Sequence, residues 1–139
     1  MLTDVRNRCN AVEECYEFML AYAAQGLPSD AGSKSGGQIR EFLGRAMEAL
    51  EGLSESCAMA VKDAGLESPE KYTAFFAVIE RDASDSLAAL DMVLAQPAIS
   101  SQLIDNLNAS IHLRALLTDL FLISDILSAT NTAAQTTAG

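Results

Sequence analysis

Basic residues are scarce in this chain. Nine lysines and arginines stand against 19 aspartates and glutamates, a formal charge of -10 over 139 residues. Such a surface repels phosphates, which argues against nonspecific binding to DNA or RNA and against docking on an anionic membrane. A basic protein partner remains compatible with it. Histidine is scarcer still, with His112 alone. A ferritin-like di-iron bundle uses two Glu-x-x-His units. Here the residue three before His112 is Ala109, and no second histidine exists.

The cysteines are Cys9, Cys15 and Cys57, an odd number without CxxC spacing. That fits a reducing cytoplasm better than a disulfide framework. On a helix, Cys9 and Cys15 point roughly 120° apart and do not converge on one ion. A structural zinc site wants four ligands. No metal or cofactor is expected. Cys57 is expected in the core, where a free thiol behaves as a small hydrophobe, and Cys15 partly exposed. Pairing Cys57 with His112 as nucleophile and base rests on composition alone, so no catalytic residue is assigned.

Long apolar runs are missing too. The greasiest stretch, Ile111 to Leu127, is broken by His112, Arg114, Asp119 and Asp125, which argues against a membrane span. The opening MLTDVRNRCNAVEE has no apolar run behind its basic residues and does not read as a secretory signal. No segment alternates with period two for long, and no glycine phosphate loop follows a strand.

What the chain has is helical periodicity. Val5, Cys9, Val12, Tyr16, Met19 and Ala23 recur at steps of three and four, one face of a helix over about 3–25. Gly26 can end it in a left-handed conformation, and Pro28 blocks its continuation. In the stretch VEECYEFMLAYAAQG, Glu13, Glu14, Glu17, Cys15 and Tyr22 are placed at or beyond the rim of that face. After the flexible loop PSDAGSKSGG, Ser35 and Gln38 are spaced like a capping box. A second stripe then runs Ile39, Leu43, Ala46, Leu50, Leu53, Cys57, Ala60, Ala64 without a break, predicting one helix over 38–64. Gly65 stops it. Ser68-Pro69 starts a third, over 69–95. Gln96-Pro97 precedes a fourth, over 98–127. Ser128 to Gly139 lacks large apolar residues and is expected to be a flexible tail. The predicted fold is a single all-α domain, residues 1–127. Its predicted form is an antiparallel four-helix bundle with an up-down-up-down path.

The last predicted helix is apolar over more than half its circumference. Leu113, Leu116, Leu120, Ile123 and Leu127 form one stripe, and Leu117, Phe121 and Ser124 its neighbour. A helix apolar on more than one side is buried on more than one side. The first stripe is therefore expected as a homodimer interface, and Leu116→Asp or Leu120→Asp is expected to give monomers. Glu41, Glu48, Glu51 and Glu55 share an outer face that can steer a basic partner, with Glu41 one turn from Arg45. The function expected is that of a small acidic cytoplasmic adaptor, chaperone or regulatory protein working through protein contacts rather than as an enzyme. The alternative is a ligand-binding or catalytic bundle. Its site would lie between the first and third predicted helices, around Tyr16, Glu17, Tyr72, Phe76 and Glu80.

Overall fold

The structure is a computed structural model describing residues 2–138, with side-chain surroundings described for residues 2–129. Those residues form six α-helices and no strand: α1 Leu2–Ala24, α2 Lys34–Leu50, α3 Leu53–Ala64, α4 Pro69–Leu94, α5 Ser101–Ala109 and α6 His112–Ala138. The all-α class is as expected. The four uninterrupted helices are not. The second is divided by Glu51 and Gly52, and the fourth by Ser110 and Ile111.

Both breaks turn on a left-handed residue, Gly52 at φ 72° and Ile111 at φ 63°. At the first, Arg8 of α1 donates to the carbonyl of Ala49 at 3.0 Å and also to that of Glu51. A helix leaves its last carbonyls without internal partners, and here a guanidinium serves them. Arg8 is held in turn by Asp4 at 2.9 Å. Asp4 also accepts from the Ser56 hydroxyl of α3. The Ser56 hydroxyl, then Arg8, holds the Asp4 carboxyl below its usual range.

The other ends follow local rules with some differences. Gly26 and Gly65 both adopt positive φ just past α1 and α3, as expected. The cap of α2 is Ser33, whose hydroxyl accepts from the Gly36 N–H at 2.9 Å. The expected box at Ser35 and Gln38 is displaced by this earlier start. Ser68 precedes Pro69 as expected, but takes a left-handed conformation and makes no side-chain cap bond. The helix α6 runs through Ala138, past the expected boundary at 128, while Gly139 lies outside the described residues.

The helix α1 packs on α2, α3, α5 and α6, and α6 packs on α4 as well. The core gathers the predicted stripes: Val5, Val12 and Met19 of α1, Ile39 and Leu43 of α2, Leu53 and Cys57 of α3, Ile79 and Leu90 of α4. Phe18 stacks on Phe42 with centroids 4.4 Å apart, and Arg45 lies over the outer face of Phe42. Arg45 also pairs with Glu41, as its spacing predicted.

One end of the molecule is tied by a polar knot. Asp30, in the long loop after α1, accepts from Arg40 Nε at 2.7 Å and from the Ile99 N–H at 2.8 Å. Arg40 also donates to the carbonyls of Leu94 and Gln96, at 3.0 and 2.8 Å. Tyr22 donates its phenol to the Ile99 carbonyl at 2.6 Å. Ser101 donates to the Tyr22 carbonyl at 2.7 Å and accepts from the Leu27 N–H at 2.8 Å. The loop folds so closely that a Cβ on Gly36 would lie 1.8 Å from the Asp30 carbonyl oxygen. Only glycine admits that approach.

Candidate functional site

The stripe expected at a dimer interface lies inside the single chain. Leu113, Leu116, Leu120, Ile123 and Leu127 are all buried, at 5% exposure or less. This corrects the interface assignment. The long apolar run of α6 faces inward because α1, α3, α4 and α5 all pack around it. The large apolar residues that α6 leaves exposed are Phe121, Leu122 and Ile126, and Ile111 just before it.

Phe121 belongs to an open groove between α1 and α6. Its walls are Glu13, Tyr16, Glu17 and Leu20 on α1, and Arg114, Leu117, Thr118 and Phe121 on α6, around about 410 Å³. The helix α1 places these four residues at steps of three and one, along one flank beside the buried seam. Leu20 is 49% exposed and Phe121 43%. Tyr16, Leu20, Leu117 and Phe121 give the groove its apolar lining. Glu13 and Glu17 line it on the α1 side, and Arg114 on the α6 side.

The five residues expected to share a ligand site are not brought together. Tyr16 and Glu17 line the α1–α6 groove. Tyr72 lines another, between the start of α4 and the later part of α6, with Phe75, Ile123 and Ile126. Phe76 is half-buried and Glu80 exposed. The physical reason is the placement of α6, which packs on both α1 and α4, whereas those two do not pack extensively on each other. The acidic set Glu41, Glu48, Glu51 and Glu55 is exposed as expected. Glu55 lies on a third groove beside Asp4, Arg8, Ser56 and Met59.

Two rim assignments are corrected. Cys15 and Tyr22 are fully buried, not at the edge of α1. Burial pushes the Cys15 thiol up to about 12 and the Cys57 thiol up to about 11. A nucleophilic thiol needs the opposite shift. His112 is exposed at the start of α6. Among the described residues, no three His, Cys, Asp or Glu side chains converge as a metal site. No helix among them is long and apolar enough to cross a membrane.

Sequence reasoning missed Leu20, Arg114 and Thr118 as groove residues. Leu20 carried a readable signal, since it falls off the stripe of α1. Arg114 and Thr118 became neighbours of α1 only through packing. Comparison with family models, with curated proteins and with solved structures finds no match to this chain.

Proposed function

We propose that this chain is an adaptor, chaperone or regulatory protein that works by contact, seating an amphipathic helix of a partner in the α1–α6 groove. The observation that carries this reading is the groove itself. It joins exposed Leu20 and Phe121 to half-buried Tyr16 and flanks them with Glu13 and Glu17. A helix docks in such a groove through apolar residues spaced by three and four. The acidic flank and the net charge favour basic residues beside those anchors. The exposed set Glu41, Glu48, Glu51 and Glu55 would speed the encounter, an effect that salt weakens.

A homodimer through α6 is the second reading. Phe121, Leu122 and Ile126 support it as an exposed apolar strip, in place of the buried stripe. The two readings separate by mass. Protein purified untagged from its own host is measured by native mass spectrometry, as wild type and as Phe121→Glu. A heteromeric complex lost in the variant supports the first reading. A mass twice that of the chain, lost in the variant, supports the second. A bare monomer, or a complex indifferent to the substitution, refutes both. Location in the cytoplasm belongs to the same proposal and rests on the unpaired cysteines.

We also read the six helices as four antiparallel struts with two breaks. Several contacts support this path. Arg8 meets Glu51 while Phe18 meets Phe42. Arg40 meets Leu94 while Ser54 meets Phe76. Arg6 meets Ser128 while Tyr16 and Leu117 share a groove. In each pair of struts, one number rises as the other falls.

A further inference from the structure

The break between α2 and α3 comes down to the orientation of one peptide. Glu51 has φ -68° and ψ 124°. Gly52 has φ 72° and ψ 11°. These angles are those of the two central residues of a type II turn, about -60° and about 120°, then about 80° and about 0°. A type I turn keeps the outer two angles and differs in the inner two, at about -30° and about -90°. Rotating the one peptide plane between Glu51 and Gly52 therefore turns the break into near-helical backbone, with little movement of the chain on either side.

Helical bonds already flank that peptide. The Glu51 N–H donates to the Met47 carbonyl at 3.2 Å, and the Ser56 N–H to the Gly52 carbonyl at 3.0 Å. In an unbroken helix the Leu53 N–H would reach the Ala49 carbonyl, and the Glu55 N–H the Glu51 carbonyl. Arg8 takes both of those acceptors, Ala49 at 3.0 Å and Glu51 beside it. Asp4 holds Arg8 at 2.9 Å and accepts from the Ser56 hydroxyl beyond the break. One side chain of α1 thus stands in for two bonds that would join α2 to α3. Leu50, Leu53 and Cys57 keep helical spacing across the break and are all buried, so a joined helix presents the same residues to the core.

We propose that the Glu51–Gly52 peptide is a two-state switch strapped by Arg8. With its carbonyl turned out to Arg8, the strut is broken into α2 and α3. With the carbonyl turned back along the helix axis to the Glu55 N–H, α2 runs on into α3. Gly52 permits the first state, because it adopts positive φ without a side-chain penalty. The strap lies at the surface. Asp4 and Arg8 line an open groove of about 430 Å³ with Gly52, Glu55, Ser56 and Met59, so the balance between the two states can be set from solvent.

The two supports can be removed separately. Arg8→Met keeps the length of the side chain and deletes its donors. A Cβ on Gly52 would lie 3.9 Å from the Arg8 guanidinium, an ordinary contact. Alanine there is opposed by its backbone and not by crowding, and the left-handed state becomes roughly tenfold less favourable.

The test is NMR of the full chain, as wild type and with Arg8→Met and Gly52→Ala combined. Cα shifts at positions 51 and 52 are expected to move into the helical range. Exchange of the Leu53 and Glu55 amides is expected to slow by about tenfold or more, as they gain the Ala49 and Glu51 carbonyls. A folded variant that lacks either change overturns the switch. Should the double variant fail to fold, relaxation dispersion on wild type and Gly52→Ala decides. A minor state with a helical Cα shift at Glu51, roughly tenfold more populated in Gly52→Ala, supports the switch. No exchange at positions 51 to 53, or exchange with a non-helical state, overturns it.

Discussion

Arg40 ties more separate pieces of chain together than its half-buried position suggests. It reaches Asp30 in the loop after α1 and two carbonyls at the end of α4. Removing it would leave Asp30 with the Ile99 N–H and strip three bonds from a guanidinium. Hydrogen bonds to charged groups contribute roughly 1.5 to 3 kcal/mol each in favourable cases. Arg40→Ala is accordingly expected to cost about 2 to 3 kcal/mol in urea unfolding. The same contacts predict a pH dependence. Arg40, then the Ile99 N–H, holds the Asp30 carboxyl down at about 2. Its folded value lies below its unfolded value, so the stabilisation is present above about pH 4 and is lost as pH falls towards 2. Unfolding curves between pH 5 and 2 should steepen this loss in wild type and flatten it in Asp30→Asn. None of this was legible in the sequence. Asp30 and Arg40 are ten residues apart and Ile99 is 69 beyond Asp30, and no spacing rule connects a loop acid to the start of α5.

At the scale of elements, the two helix breaks separate what periodicity can report from what it cannot. The stripe from Ile39 to Ala60 keeps its three-four alternation through Gly52, because both α2 and α3 present it to one core, while Ala64, at the end of the predicted stripe, is exposed. A pattern of buried positions therefore passes over the bend without a mark. Gly52 was the available signal, since its φ of 72° is a region where glycine has no side-chain penalty. The break before α6 offered no such signal. Ile111 is β-branched yet left-handed, at φ 63°, a strained placement for that residue type. The two sites predict opposite effects. Gly52→Ala should destabilise by about 1 kcal/mol, as a left-handed alanine costs about that much. Ile111 is 59% exposed, so Ile111→Gly removes strain without opening the core. It should raise the melting temperature, corresponding to up to about 1 kcal/mol after the added freedom of the unfolded glycine. Thermal melts of the two variants check both signs.

For the whole molecule, the sequence reported how much apolar surface α6 carries but not where it goes. Two adjoining stripes were legible as stripes. Their allocation between core and contact surface depends on the number of neighbours α6 acquires, and it acquires four. Leu116 and Leu120 consequently belong to the interior at 0% exposure, while Phe121 and Leu122 remain outside. Leu116→Asp is expected to unfold the chain instead of dividing a dimer, because a buried unpaired carboxylate costs several kcal/mol. Leu122→Glu should leave the helical circular dichroism unchanged. The half of the candidate site on α1, Tyr16 and Glu17, was legible. Its other half was placed on α4, since sequence alone could not show that α6 packs on both α1 and α4. A photo-crosslinking side chain at position 121, with position 59 as an exposed control, tests the docking face most directly in the protein's own host. The account predicts a covalent product at 121 alone, mapping to an amphipathic helix of a partner or to α6 of a second copy. No product at 121, or equal products at 121 and 59, would contradict it.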